Sequence, residues 1–319
     1  MKLKTFSMGG VHPEENKITA EVATVVAPLP QQAIFPLSQH IGAPAKPVVN
    51  RGDKVKVGTL IAEANGFVSA PIYSSVSGTV LKVDTAIDAT GYRKPAIYIN
   101  VEGDEWEESI DRSETLETLD KHPELTPEEI VNRIKLAGVT GMGGAGFPTF
   151  IKLCPPPTAK AECVILNGVE CEPYITSDYR LMMEHADEIL VGLDLLMKGA
   201  KVERGYIGIE DNKPEAIKLF EQKTANDPRV EIVALAKKYP QGGEKQLVDA
   251  VINRQVPAPP AIPVNVGAIV QNVGTAYAVY QAVMKNKPLF ERYTTVTGKQ
   301  LKNPGNFLVR MGTPMRELI

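Results

Sequence analysis

The sequence predicts an α/β protein with an all-β domain first, a parallel-sheet domain second and a short β-rich segment last. Short apolar runs separated by Gly, Pro and Asp fill the first hundred residues, a pattern typical of a small barrel or sandwich. Strand and helix patterns then alternate from residue 125 onward, which indicates a parallel sheet covered by helices. The length of 319 residues agrees with this division, because it is about twice that of a typical domain.

These changes of pattern also set the predicted domain boundaries. Residues 1–105 are predicted to form a barrel-sandwich domain, and the charged segment 106–124 a solvated acidic linker because it lacks apolar periodicity. Residues 125–288 are predicted as the α/β domain, and residues 289–319 as the start of another small β module. The strands expected in the first domain are Val22–Val26, Val55–Ala62, Gly78–Val83 and Ala96–Val101.

The α/β domain begins with a well-marked helix start. Thr126 is the predicted N-cap, Pro127 the first helical residue and Glu129 the partner in a capping box, while Gly138 is suited to end the helix. The elements predicted after it are a strand at Glu162–Leu166, a helix at Met182–Lys198, a strand at Tyr206–Ile209, a helix at Lys213–Gln222, a strand at Val230–Ala236, a helix at Glu244–Asn253, an apolar segment at Ala261–Ala268 and a helix at Ala276–Met284.

Composition and charge exclude several classes of function. There are 35 Lys and Arg against 38 Asp and Glu, and 6% aromatic residues, so the chain lacks the basic surface and stacking groups of nucleic-acid-binding proteins. No apolar run reaches the roughly 18 residues of a transmembrane helix. Cys154, Cys163 and Cys171 form no C-x-x-C pair, so we expect no metal site here, and packing roles for all three.

The densest chemical signal is the segment Gly141–Thr149, called the glycine loop below. Four glycines in six positions remove Cβ atoms and let backbone N–H groups line a concave surface, which suits a phosphate or the edge of a large ring. Lys152 follows closely and can add a positive charge. The loop is neither a G-x-G-x-x-G fingerprint after a strand nor a P-loop. Glycine content alone leaves a purely structural loop equally open.

Three further corners of the predicted α/β domain carry polar or glycine-rich segments. Asn167–Pro173 follows an apolar strand, at the position where open α/β sheets bind ligands. Tyr239–Glu244 and Asn272–Thr275 each precede a helix, so free N–H groups are expected there. Each segment alone is equally explained as an ordinary loop. Together, the four corners favour a ligand of nucleotide or flavin size.

These motifs resemble known families. Gly141–Lys152 reads G-M-G-G-A-G-F-P-T-F-I-K and resembles the flavin loop G-R-G-G-A-G-F-P-T-G-x-K of the NADH-binding flavoprotein subunit of respiratory complex I. Asn167–Pro173 is similar to N-x-D-E-x-E-P of the same family, and the later two corners align with its other flavin-contacting segments. Gly9–Lys17 and Pro36–Pro44 resemble the C subunit of the Rnf ion-translocating oxidoreductase complex, an electron transport complex.

The resemblance implies a fold, a cofactor and site residues. The fold would be a biotinyl- or lipoyl-like barrel, a Rossmann-like flavin and NADH domain, and the start of a β-grasp-like module. The resemblance implies FMN as cofactor, NAD(H) as substrate, and no catalytic side chain, because the cofactor carries the chemistry. Residues carried over for FMN are Gly141, Gly143, Gly144, Lys152, Asn167, Gly243, Glu244 and Asn272. Residues carried over for the nicotinamide nucleotide are Phe147, Glu170 and Glu172.

The resemblance also implies partners and a location. The chain would be a peripheral subunit on the cytoplasmic side of the bacterial inner membrane, working with other subunits of an Rnf-type complex and with ferredoxin or a ferredoxin-like subunit. It would exchange electrons between NAD(H) and FMN and pass them to iron–sulfur clusters outside this chain. Family members usually continue into two four-cysteine motifs, so we expect this sequence to be incomplete, with 4Fe-4S clusters only in a C-terminal region absent here.

Two departures from the complex I pattern keep an alternative open. Met142 stands where the complex I loop has Arg, and Val169 where it has Asp, so two polar contacts are lost. A non-catalytic docking or scaffold subunit that retains the fold but not the flavin therefore remains the second interpretation. A third interpretation, a biotinyl-type carrier, is disfavoured because Glu63–Phe67 occupies the carrier hairpin but contains no lysine.

Overall fold

Two antiparallel sheets form the N-terminal barrel in the computed structural model, which describes residues 3–88 and 90–319. The first strands are β1 (Val25–Val26), β2 (Gln32–Pro36), β3 (Lys46–Pro47), β4 (Lys54–Val55), β5 (Leu60–Glu63), β6 (Ile72–Tyr73), β7 (Ser77–Ile87) and β8 (Arg93–Gly103). One sheet has the order β2-β8-β7-β4 and the other β3-β5-β6, and the side chains between them form a separate apolar core. Part of the prediction for Val55–Ala62 is wrong, since a turn at Lys56–Thr59 divides it into two strands.

A four-stranded parallel sheet is the centre of the α/β domain, as the alternating pattern predicts. Its strands are β9 (Cys163–Gly168), β10 (Gly205–Glu210), β11 (Val230–Leu235) and β12 (Ala268–Asn272). Their order in the sheet is β11-β10-β9-β12, so the chain starts in the middle, moves outward and then crosses to the other side. The point of reversal lies between β9 and β12.

Seven helices accompany this sheet in the described part of the chain. Thr126 caps the first as predicted, its hydroxyl accepting from the Glu129 N–H at 3.1 Å. The second half of the predicted capping box is absent, because the Glu129 carboxylate pairs with Arg133. Gly138 follows this helix with a left-handed φ of 68°. The helices are α1 (Pro127–Leu136), α2 (Thr149–Lys152), α3 (Ser177–Glu184), α4 (Ala186–Ala200), α5 (Pro214–Lys223), α6 (Glu244–Ile252) and α7 (Val273–Met284).

Two predicted elements of this domain differ from the structure. The single helix expected at Met182–Lys198 is two helices, because His185 leaves the helical conformation and its ring bonds to Glu188 and Tyr293. The apolar segment Ala261–Ala268 is largely a 3-10 turn. The proline at its start favours that turn, and strand β12 begins only at its last residue.

The acidic segment 106–124 is a packed connection rather than the solvated linker predicted. Trp106 lies edge-to-face on Phe290 with ring centroids 5.3 Å apart, and Ile110 is buried beside them. The buried ammonium of Lys285 donates to Asp111 at 2.7 Å. A few apolar and charged anchors therefore hold a segment whose overall composition predicted solvent exposure.

The C-terminal residues form a hairpin of β13 (Glu291–Val296) and β14 (Gly305–Arg310). Strand β1 pairs in parallel with β14, so the first and last parts of the chain share one three-stranded sheet. The assignment of 289–319 to a β-grasp-like module stays a prediction.

Residues 3–24, placed with the barrel by the predicted boundary, lie instead along the α/β domain. Lys4 bonds to the backbone beside β11, Val11 pairs with Tyr239, and Thr24 donates its N–H to Glu184. We call this segment the N-terminal strap. Its polar side chains find partners on the α/β domain, whereas the composition of the first hundred residues suggested one uniform domain.

Candidate functional site

A cleft of about 590 Å³ opens at the carboxyl ends of β9 and β12. These are the two strands between which the chain reverses direction, and open α/β sheets bind ligands at that switch point. The volume lies within the range of about 300–1,000 Å³ found for small-molecule sites. Its walls come from the glycine loop, the loop after β9, the start of α7 and strand β13.

The four corners identified in the sequence meet at this cleft. The Asn167 side chain donates to the Gly242 carbonyl at 2.8 Å, and the Asn272 side chain donates to the Asn167 carbonyl at 3.4 Å. The Met142 N–H donates to the Thr275 hydroxyl at 2.9 Å and ties the glycine loop to α7. The amide side chains thus connect the corners directly. The expected convergence at one sheet edge is confirmed.

Asn272 organises the floor of the cleft. Its side-chain oxygen caps α7 by accepting from the Gly274 N–H at 2.8 Å, and its nitrogen donates to Asp178 at 2.6 Å. A Cβ on Gly143 would lie 2.9 Å from that side-chain nitrogen, so only glycine allows the loop to approach so closely. The floor therefore presents the positive end of α7 beneath a loop without side chains.

The glycine loop differs in detail from what its composition suggested. At Gly144 nothing lies within 4 Å of a built Cβ, so neither the protein's own packing nor a left-handed φ requires glycine there. That conformation occurs at Gly146, where φ is 67° and a Cβ would meet the barrel at 3.1 Å, at the Gln39 carbonyl. Gly141 closes the base of the loop, its N–H bonding the Phe147 carbonyl. One side of the loop thus faces open space and the other the barrel.

On the opposite wall lies the segment Glu170–Thr176, called the acidic loop below. The Glu170 carboxylate is buried and accepts from the first backbone N–H groups of α3, at Asp178 (2.7 Å) and Tyr179 (3.3 Å). Burial, together with the nearby Asp178 carboxylate, raises the pKa of Glu170 to about 7. Burial raises the pKa of Asp178 as well. Glu172, in contrast, is exposed at the mouth of the cleft.

The N-terminal strap fixes the acidic loop through Lys17. The ammonium donates to three backbone carbonyls of the loop, those of Glu170 (2.8 Å), Glu172 (2.9 Å) and Ile175 (2.6 Å). It also lies 4.0 Å from the Glu170 carboxylate. Burial lowers the pKa of Lys17. All three N–H groups of this ammonium therefore donate to the acidic loop, although Lys17 is distant from the loop in the sequence.

Five of the predicted site residues line the cleft and six do not. Gly143, Asn167, Glu170, Glu172 and Asn272 contribute to its surface. The ammonium of Lys152 is bonded to Glu244 at 2.5 Å and to the Val270 carbonyl at 3.0 Å, behind the floor. Four other predicted residues are sequence neighbours of lining residues but do not line the cleft themselves: Gly141, Gly144, Phe147 and Gly243. The two residues that depart from the complex I pattern lie in different places: Val169 is a core residue, and Met142 lines the cleft.

Sequence reasoning missed the wall formed by the C-terminal hairpin and α7. Arg292, Tyr293 and Thr295 on β13, with Tyr277 on α7, line the cleft. The Tyr293 hydroxyl lies 2.8 Å from His185. Burial raises the pKa values of both tyrosines. No glycine-rich or acidic motif marks these positions, and the three residues on β13 line the cleft only because the hairpin packs on the α/β domain.

The cysteines lie apart from each other and are packed differently. Burial raises the pKa of Cys163 and of Cys171 to about 11, so both are thiols at neutral pH. The Cys171 sulfur accepts from the Gly242 N–H at 3.3 Å, while Cys154 is exposed. Within residues 3–88 and 90–319, no group of three or more His, Cys, Asp and Glu side chains is arranged to bind a metal ion.

The donors of the cleft fit a flavin mononucleotide and a nicotinamide nucleotide. The Asn167 amide keeps one N–H beyond its bond to the Gly242 carbonyl and suits the hydrogen-bonding edge of a flat ring, and the start of α7 suits a phosphate. Gly143 lets the loop lie close to Asn272, and open space is found at Gly144, where nothing lies within 4 Å of a built Cβ. The tyrosines give an apolar wall on the far side.

Comparisons with known proteins agree with this architecture. Residues 134–281 match the Nuo51 FMN-binding domain family, and residues 4–104 match the RnfC barrel sandwich hybrid domain family. The C subunit of the proton-translocating ferredoxin:NAD+ oxidoreductase complex from Clostridium ljungdahlii is 45% identical over 99% of this chain and 68% of its own length. Its Na+-translocating counterpart from Acetobacterium woodii is 44% identical over 100% of this chain and 71% of its own length.

Among solved structures, an NAD+-reducing NiFe-hydrogenase in its H2-reduced state is 22% identical, with a TM-score of 0.48 over 58% of this chain and 37% of that one. No helix in the described ranges is long and apolar enough to cross a membrane. The assignment rests on the barrel match and on the two relatives that align with nearly the whole chain. The chain belongs to the RnfC family, the C subunits of Rnf-type ion-translocating oxidoreductase complexes.

Proposed function

We propose that this chain binds FMN in the cleft and exchanges electrons between it and NAD(H), as a subunit of an Rnf-type complex. One observation carries the proposal: the glycine loop, Asn167, the Gly242 corner and the capped start of α7 are joined by hydrogen bonds around one cleft at the sheet's switch point. This arrangement lies within the segment that matches an FMN-binding domain family. The names of the similar proteins, ferredoxin:NAD+ oxidoreductase subunits, support NAD(H) as the redox partner.

The side chains have distinct proposed roles. Gly143, with its neighbours Gly141 and Gly144, leaves this side open to the flavin ring, Asn167 bonds the edge of the ring, and Asn272 holds the floor beneath it. Phe147 and the exposed Glu172 are the proposed contacts of the nicotinamide nucleotide. When bound, FMN supplies hydride exchange with the nicotinamide ring. The protein's own part is to position both rings and to exclude water with Tyr277 and Tyr293.

Lys152, Gly243 and Glu244 act indirectly in this proposal. Lys152 bonds both Glu244 and the carbonyl of Val270 on β12, and so fixes the start of α6 against the strand that carries Asn272. Glu170 caps α3 and thereby shapes the acidic loop. The first three residues support the cleft from outside its lining, and Glu170 lines it with a carboxylate that is already bonded to α3.

The remaining parts of the proposal concern partners and location. Electrons pass onward to iron–sulfur clusters outside this chain. Other subunits of the complex and a ferredoxin or ferredoxin-like protein are the proposed partners, at the cytoplasmic side of the bacterial inner membrane. The names of the relatives, C subunits of proton- and Na+-translocating ferredoxin:NAD+ oxidoreductase complexes, support these partners.

Titration with FMN tests the proposal. The chain is expected to quench flavin fluorescence saturably with one site, and NADH is expected to bleach the flavin absorption of the complex under anaerobic conditions. A chain that is fully folded by circular dichroism and binds no FMN would contradict the proposal. That result would favour the scaffold function, for which the apolar Met142 in the glycine loop is the supporting observation.

A further inference from the structure

Two cationic side chains line the cleft, and the structure uses them differently. Lys287 is largely buried and its ammonium contacts the Glu291 carboxylate, which also lies 3.6 Å from Arg310. Arg292 is exposed toward the cleft. Among the residues that the structure describes, no carboxylate lies within 4.0 Å of its guanidinium. Arg292 is thus the cation of this lining whose charge is not neutralised by direct contact.

The position of the Arg292 guanidinium is set by the glycine loop. Its Nη2 donates to the Met142 carbonyl at 3.1 Å, and the Met142 N–H donates to Thr275 in the first turn of α7. Met142 therefore connects β13 to the start of α7 across the cleft. The guanidinium and the positive end of this 12-residue helix face the same space.

Three of the four acids that line the cleft are engaged elsewhere, and the fourth, Glu172, is exposed to solvent. Glu291 contacts Lys287, Glu170 accepts from the start of α3, and Asp178 accepts from Asn272. A guanidinium has five N–H donors in a planar fork, and the Met142 bond uses one of them. The donors that remain match the oxygens of a phosphate group in geometry and charge.

We infer that Arg292 binds a phosphate group of the ligand in this cleft, together with the start of α7. The inference rests on the proposed function and adds a residue to it that no sequence motif marks. The phosphate has two candidate sources, the monoester of FMN and the pyrophosphate of NAD(H). Because Met142 offers no charge, the hairpin rather than the glycine loop supplies the cation.

Matched ligand pairs test this inference. Affinities of the wild-type chain and Arg292→Gln are measured by fluorescence for FMN against riboflavin, and for NADH against dihydronicotinamide riboside, which lacks phosphate. Arg292→Gln is expected to weaken one phosphorylated ligand by about 10- to 100-fold, the scale of a charge-assisted bond, and its unphosphorylated partner by less than about twofold. Lys302→Gln, an exposed cation on the same hairpin outside the cleft, is the control and should change none of the four.

The results separate the sources and the proposals. A selective loss for FMN or for NADH supports the inference and identifies which phosphate Arg292 binds. Equal losses within each pair would show that Arg292 only tethers the glycine loop, and unchanged affinities would show no role; both overturn the inference while the flavin proposal stands. A folded wild-type chain that binds neither FMN nor NADH overturns both.

Discussion

The two walls of the cleft are held in very different ways. The acidic loop is fixed by a buried ammonium, by the capped start of α3 and by the Thr19, Thr176 and Asn306 side chains, which bond to each other. The glycine loop is held by a few bonds at Gly141 and Met142, and Gly143 to Ala145 are exposed. The acidic loop is therefore the firmly bonded wall of the cleft, and the glycine loop is the exposed one.

This difference changes what the conspicuous residues mean. Glu170 is a strong candidate by sequence, yet its carboxylate is engaged by the start of α3 and by Lys17. The glycines have no side chains to engage, and their exposed backbone is what a ligand can approach. Stability should therefore respond to changes in the acidic loop, and ligand affinity to changes in the glycine loop.

The largest effect is expected for Lys17→Met. The change removes the ammonium that donates to three loop carbonyls and leaves those carbonyls without this partner. Hydrogen bonds to a charged group contribute about 1.5–3 kcal/mol each, so the free energy of unfolding should fall by about 3–5 kcal/mol in urea denaturation.

Lys46→Met is the matched control for Lys17→Met. Lys46 forms an ion pair with Glu63 in which both side chains are more than half exposed, and such pairs contribute about 1 kcal/mol or less. Equal losses for the two variants would show that Lys17 does not anchor the acidic loop.

The second prediction concerns pH and Glu170→Gln. The pKa of Glu170 is raised from the ordinary 4.5 to about 7 in the folded state, so the folded chain retains this proton at pH values where the unfolded chain loses it. Wild-type stability should therefore fall as the pH rises from about 4.5 to about 7, by about 3 kcal/mol from this group. Glutamine keeps the acceptor for α3 but does not titrate, so the variant's stability should depend less on pH.

Glu172→Gln, on the exposed side of the same loop, should keep the wild-type pH profile. Parallel profiles for wild type and Glu170→Gln in thermal or urea denaturation would contradict the buried role assigned to Glu170. Asp178 remains in both chains, and because its charge interacts with that of Glu170, the difference between the two profiles reports the titration of this pair.

Sequence patterns predicted the architecture well because periodicity and caps act locally. Thr126 and Gly138 lie at the two ends of α1 as expected, and the alternation of strand and helix patterns correctly predicted the parallel sheet. The same local logic found Asn167 and Asn272, which lie at the ends of strands. Convergence of those corners followed from the topology of the sheet.

Contacts between distant segments could not be predicted in this way. Lys17 reaches Glu170 across 153 positions, and Arg292 reaches Met142 across 150. Neither has a periodic or spacing signal, because each position is set by how the strap and the hairpin pack on the α/β domain. Composition likewise predicted that segment 106–124 is exposed to solvent, although Trp106 and Ile110 pack in a small apolar core.

The third prediction concerns the open side of the glycine loop. Gly144→Val adds a side chain where no atom lies within 4 Å, so we expect the free energy of unfolding to change by less than about 0.5 kcal/mol. The same side chain would enter the proposed flavin space. FMN affinity is expected to fall about thirtyfold, or about 2 kcal/mol, in a fluorescence titration. Unchanged affinity in this stable variant would refute the placement of the flavin against Gly144.

The smallest effect, and the sharpest contrast within one loop, is expected two residues further on. Gly146 has a φ of 67°, and its Cβ would lie 3.1 Å from the Gln39 carbonyl, so Gly146→Ala strains the contact between the glycine loop and the barrel. A left-handed conformation costs a non-glycine residue about 1–2 kcal/mol, and thermal or urea denaturation should show a loss of about 1 kcal/mol. Because this side of the loop faces the barrel, FMN affinity should stay within about twofold of wild type. A large loss of FMN affinity without loss of stability would place the ligand on the barrel side and reverse the assignment of the two faces.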